Sequence, residues 1–168
     1  KFAEYYANNG ADEIIYNDVV ASLYGRNSLL ELISHTAKNC SIPITVGGGI
    51  KTIEDIKNIL KAGADKVSIN TAAINNLEFV RQAVKTFGSS TIVITVEASF
   101  YNNEYMVFTN CGREYSGLNV ENWILEIANE GVGEILLTSI DYEGTGNGFD
   151  NQLIEKIYDK IEIPLIVH

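Results

Sequence analysis

Two segment pairs repeated at one spacing, a regular strand–helix alternation and a polar residue at each strand's carboxyl end predict an α/β chain. They specify an incomplete (β/α)8 barrel. The first pair is Gly10-Ala11-Asp12-Glu13-Ile14-Ile15-Tyr16 and Gly131-Val132-Gly133-Glu134-Ile135-Leu136-Leu137. The second is Ile42-Pro43-Ile44-Thr45-Val46 and Ile163-Pro164-Leu165-Ile166-Val167. Both pairs stand 121 positions apart, and a weaker copy, Gly63-Ala64-Asp65-Lys66-Val67-Ser68-Ile69-Asn70, lies between them. One offset for two independent echoes marks a duplicated unit. Doubling it gives about 240 residues, near the ~250 of a complete barrel. The 168 residues then hold about six of eight strands, the second to the seventh, as one domain over 1–168.

Each element has its own sequence warrant. Residues 1–9 carry Phe2, Ala3, Tyr6 and Ala7 on one helical face, and Gly10 ends the helix. Residues 13–18 form a short apolar strand. Residues 28–39 form a helix striped by Leu29, Leu30, Leu32, Ile33 and Ala37. A strand over 43–46 runs into Gly47-Gly48-Gly49. Thr52 caps the next helix, to Ala62, with Asp55 placed for a capping box. A strand follows at 66–70, a helix at 77–87, and a β-branched strand at 91–97. Residues 100–115 break the pattern: Tyr105-Met106-Val107-Phe108 between Asn102-Asn103 and Cys111-Gly112 predicts a hairpin-like excursion. A helix at 120–130, a strand at 134–139, a helix at 151–160 and a strand at 164–167 complete the alternation.

Composition narrows the function. A formal net charge of −10 argues against nucleic acid as a partner. It leaves an anionic small molecule possible, because backbone N–H groups hold phosphate without a basic surface. Cys40 and Cys111 have neither a disulfide framework nor metal-ligand spacing and read as reduced thiols. No apolar run reaches transmembrane length and no signal-peptide pattern opens the chain, so a cytoplasmic location is expected. No metal or cofactor is expected.

The strand ends nominate the site. Asp18, Gly47–Gly49, Asn70-Thr71, Glu97 and Thr138-Ser139-Asp141 each follow an apolar strand, where catalytic and binding residues of a barrel collect. Gly48 and Gly49 allow a ligand close to the backbone, and Asn70 and Thr71 add donors, so phosphate binding is expected. Glu97 ends a central strand in a partly desolvated mouth, suited to acid–base work. Asp141, Glu143 and Gly144 lie in a loop that serves equally as a lid. At the opposite ends Asp12, Glu13, Asp65, Lys66 and Glu134 form either a stabilising rim or a salt-bridged ring.

Three stretches carry a family resemblance: Thr45-Val46-Gly47-Gly48-Gly49-Ile50, Gly63 through Ala73, and Gly133-Glu134-Ile135-Leu136-Leu137-Thr138-Ser139-Ile140-Asp141. They resemble the HisF cyclase subunits of imidazole glycerol phosphate synthase, along the whole chain. The resemblance implies a lyase of histidine biosynthesis that takes ammonia from a HisH-type glutaminase. It adds that ammonia to a phosphorylated ribulosyl aminoimidazole carboxamide, giving imidazole glycerol phosphate and AICAR. By matching position, Gly48, Gly49, Asn70 and Thr71 hold a substrate phosphate, and Asp18, Thr138, Ser139, Glu143 and Gly144 line the substrate. Glu13, Lys66 and Glu134 belong to an ammonia gate, and Asp65 faces the glutaminase. Glu97 falls where the family has a catalytic aspartate, one methylene shorter, and Glu143 where aspartate is usual. Those departures keep open a paralogue delivering ammonia for surface-sugar amidation, and six strands, which cannot close a barrel, keep open an inactive self-associating or partner-binding fragment.

Overall fold

The computed structural model describes residues 2–18 and 26–168. They group into two compact units, residues 1–69 and 70–168.

In the first unit, helices α1 (Phe2–Asn8), α2 (Arg26–Asn39) and α3 (Ile53–Ala62) alternate with strands β1 (Ile14–Asn17), β2 (Ile44–Gly47) and β3 (Lys66–Ile69). The strands pair in parallel, β1 with β2 and β2 with β3. Every residue of β2 is buried, as expected of a strand covered on both faces. Helix α3 begins with a complete capping box: Asp55 N–H donates to Thr52 Oγ1 at 3.1 Å, and Thr52 N–H to Asp55 Oδ2 at 2.9 Å. Ile56 and Ile59 form its buried side. Replacing Thr52 with Ala removes the acceptor of the N3 amide and should cost about 1 kcal/mol of stability in denaturant titration, with activity unchanged.

In the second unit, α4 (Thr71–Asn75) and α5 (Leu77–Phe87) precede β4 (Ile92–Tyr101). Strands β5 (Glu104–Thr109) and β6 (Glu114–Asn119) form the excursion. Then come α6 (Val120–Asn129), β7 (Glu134–Ser139), α7 (Asn151–Ile157) and β8 (Leu165–Val167). Strands β4, β7 and β8 run parallel, while β5 and β6 extend β4 as an antiparallel meander. Ile92, Ile94, Val96, Ile135 and Leu137 are buried in the strands, as are Ile124, Ile127, Leu153 and Ile157 in the helices.

The duplication is visible in the backbone. Ile14, Ile15 and Tyr16 pair with Ile44, Thr45 and Val46, and the residues 121 further on pair in the same register. Ile14 N–H donates to Pro43 O at 3.0 Å, and Ile135 N–H to Pro164 O at 3.0 Å. Among the described residues each unit has three parallel strands in strand–helix alternation, the pattern of an incomplete (β/α)8 barrel, as the sequence predicts. Several boundaries shift by one to a few residues, the helix expected over 151–160 ending already at Ile157, and two of the shifts fall at the candidate site. The strand expected to end at Glu97 runs on to Tyr101, because its last residues pair with β5. The strand expected to reach Asn70 ends at Ile69, and Asn70 instead precedes the short helix α4. Among the described residues no helix is long and apolar enough to cross a membrane.

Candidate active site

Glu97 sits near the carboxyl end of the buried part of β4, and the register sets Thr138 of β7 beside it and Phe108 of β5 on its other side. Its Oε2 accepts from Asn70 Nδ2 at 2.9 Å and from Gly112 N–H at 3.0 Å. Burial pushes the Glu97 carboxyl above the ordinary glutamate range. The Gly112 and Asn70 hydrogen bonds pull it back in part, and the nearby charge of Glu143 raises it further. A half-buried carboxyl with its proton more tightly held than usual is suited to proton transfer.

The two residues expected at the end of β3 adjoin it. Asn70 caps α4 by position and gives its side-chain amide to Glu97, while its Oδ1 is buried with no hydrogen-bond partner among the described residues. Thr71 opens α4, and its Oγ1 accepts from Asn110 N–H at 3.3 Å. Asn110, Cys111 and Gly112 are successive left-handed residues in the β5–β6 turn, so one turn reaches both Thr71 and Glu97.

The end of β7 divides its residues. Thr138 is buried beside Glu97. Ser139 is also buried, and its hydroxyl donates to Asp150 Oδ2 at 2.9 Å. Asp141 binds back onto β4, accepting from Ser99 Oγ at 3.0 Å and Phe100 N–H at 2.8 Å. Glu143 and Gly144 are exposed in the loop beyond, and His168 Nδ1 lies 3.9 Å from Glu143 Oε1.

In the first unit, Asp18 follows β1, and its N–H donates to Gly47 O at 2.9 Å. Gly48 has φ +107, and a Cβ there would lie 2.2 Å from Asp18 O, so only glycine fits beneath that carbonyl. Gly49 completes the turn with φ +62. At the other end of these strands Glu13 holds two partners: Thr45 Oγ1 donates to Oε1 at 2.5 Å and Lys66 Nζ to Oε2 at 2.8 Å. Asp65 Oδ2 accepts from Ile44 N–H at 2.8 Å. Glu134, in the second unit, is half-buried at the entry of β7. Cys40 and Cys111 are both free thiols.

Sequence reasoning missed two contributors. Gly112 reads as a turn glycine, and nothing in its local sequence says its amide reaches Glu97. Asp150 was recoverable: an Asp before a helical stretch with its N3 residue at Leu153 is an N-cap signal.

Parallel strands alternating with helices, with a half-buried acid near the end of β4, define the barrel class of enzyme. A family model for histidine biosynthesis proteins matches residues 1–167. An imidazole glycerol phosphate synthase subunit HisF of Legionella pneumophila is 47% identical over 167 residues, covering 99% of this chain and 79% of that relative. The HisF subunits of Sulfurisphaera tokodaii and Thermococcus onnurineus are each 45% identical over 166 residues, with 67% and 66% of their lengths covered. The chain belongs to the histidine biosynthesis protein family, alongside the HisF subunits of imidazole glycerol phosphate synthase, the lyase-type cyclase subunits of that pathway. These relatives' names give no support to the sugar-amidation or inactive-fragment readings.

Proposed function

We propose that this chain carries the central part of a cyclase site that condenses ammonia with the phosphorylated ribulosyl aminoimidazole carboxamide, releasing imidazole glycerol phosphate and AICAR. The observation that carries the reading is Glu97, half-buried at its strand end with a raised proton affinity and two fixed donors on one oxygen. Glu97 acts as the acid–base group. Thr138 and Asp18 line the substrate, as do Glu143 and Gly144 from the loop after β7. Ser139 contributes through its hydrogen bond to Asp150 rather than through a free hydroxyl. Gly48, Gly49, Asn70 and Thr71 are the groups assigned to phosphate.

The Glu13–Lys66 pair, half-buried at 2.8 Å, and Glu134 are assigned to the ammonia gate, and Asp65 to the face of a HisH-type glutaminase partner. A cytoplasmic location follows from that pathway. Replacing Lys66 with Met should lower glutamine-driven product formation relative to ammonia-driven formation, measured as the ratio of the two rates in the reconstituted complex. The reading itself is tested with the full-length protein, its glutaminase, ammonia and the ribulosyl substrate. If no imidazole product forms while a nucleotide sugar is accepted, the reading is wrong.

A further inference from the structure

We propose that Gly112, through its backbone amide, and Asn70 are positioning residues that decide which oxygen of Glu97 exchanges the proton. Oε2 is held as the charge-bearing acceptor. The proton leaves from Oε1 to the substrate and returns to it, with the electron pair of the broken O–H bond remaining on the carboxylate. This inference rests on the reading of Glu97 as the acid–base group.

Two donors converge on Oε2, at 2.9 and 3.0 Å. An amide N–H and an Asn NH₂ donate only, so a proton on Oε2 would face two other hydrogens across the same contact. In the neutral acid the hydrogen therefore sits on Oε1. The same contacts remove a freedom that glutamate has and aspartate lacks. Its extra methylene adds a torsion, and holding Oε2 from two sides stops the carboxyl from swinging.

The turn is built to deliver that amide. Asn110, Cys111 and Gly112 have φ of 53, 59 and 73°, a left-handed run that non-glycine residues adopt only at a cost in strain. It persists because the turn is fastened on both sides: Arg113 N–H donates to Thr109 O at 3.0 Å, and Asn110 N–H to Thr71 Oγ1 at 3.3 Å. A Cβ at position 112 would come within 3.1 Å of Ile140 Cδ1, so glycine is the residue that lets the amide close on Glu97 without displacing β7's exit. The antiparallel register, Glu97 opposite Phe108, starts the turn two residues from the carboxyl. The ionisable groups that interact with Glu97 are Glu143 from the loop after β7 and Cys111 from the turn, with Arg113 acting on Cys111. None of them donates to Oε2 among the described hydrogen bonds.

The test is a carbon-13 NMR titration of the Glu97 carboxyl in the full-length protein, native and as Asn70→Ala, Gly112→Pro and Cys111→Gly. A hydrogen bond to a charged group is stronger than one between neutral groups, so losing Asn70 should raise the titration midpoint by about one pH unit or more. Gly112→Pro, which lacks the amide hydrogen, should move it the same way. Cys111→Gly keeps the amide and should leave it in place. The acidic limb of the kcat profile should move with the midpoint. A midpoint common to Asn70→Ala and the native protein overturns the proposal, and this comparison decides the matter if Gly112→Pro does not fold. A shifted midpoint in a protein that makes no imidazole product sinks the cyclase reading but leaves the positioning intact. Product formation with an unmoved midpoint does the reverse.

Discussion

Replacing Glu97 with Gln is expected to slow imidazole formation by about 10²–10⁴-fold while leaving the substrate KM within a few-fold of native. Glutamine has the same length and one carbonyl oxygen, which can take the place of Oε2 and accept from both Asn70 and Gly112. Phosphate groups and neighbours are untouched, so the loss should fall on kcat alone. Stability should move the opposite way. The folded protein holds the Glu97 proton more tightly than the unfolded chain does, because burial disfavours the charge. Between the ordinary glutamate range and the raised one, the native state binds more protons, so stability falls as pH rises through that window. The substituted amide carries no such charge, and the variant's melting temperature at neutral pH should equal or exceed that of the native protein. An active Glu97→Gln variant would remove Glu97 from the chemistry. An inactive one with a much lower melting temperature would leave the loss to misfolding.

The parts legible in the sequence are those that depend on local periodicity. The 121-residue offset read from Gly10 and Gly131 reappears as identical strand register, because a parallel β/α unit has few ways to pair its strands. Thr52 and Asp55 sit three apart and close the capping box the spacing requires. Asn102-Asn103 turns the chain between β4 and β5 with both residues left-handed, as the dipeptide suggests. What sequence could not give is long-range aim. Glu97 is 15 positions from Gly112 and 27 from Asn70, and only folding brings the turn of the meander and the start of α4 onto one carboxyl oxygen. Ser139 shows the same gap from the other side. Its place at a strand end predicts a mouth-facing hydroxyl, yet Asp150, 11 residues later, takes that hydroxyl into the buried layer.

Asp150 carries the largest stability effect expected in the second unit. It is 4% exposed, and its carboxylate gathers three donors: Tyr105 Oη at 2.9 Å and Leu153 N–H at 3.1 Å on Oδ1, and Ser139 Oγ at 2.9 Å on Oδ2. Burial, and then the hydrogen bond to Asp150, push the Tyr105 phenol well up, so it stays a donor at any physiological pH. Asp150→Ala strands all three donors. Two buried hydroxyls without acceptors cost about 1–3 kcal/mol each and a lost N-cap about 1, offset in part because no charge is then buried. A net loss of about 3–4 kcal/mol is expected, lowering the melting temperature by roughly 10 °C for a chain of this size. Asp150→Asn keeps the acceptor for Tyr105 and Leu153 and lets the Ser139 hydroxyl turn to accept, so its cost should be nearer ~1 kcal/mol. Equal costs for the two variants would deny the network its role. The difference should also reach the active site. Asp150 fastens β5 to the end of β7, and β5 leads into the turn that carries the Gly112 amide. A meander released at Tyr105 should hold Glu97 less firmly, and Asp150→Ala should therefore lower kcat even at temperatures where the variant is fully folded.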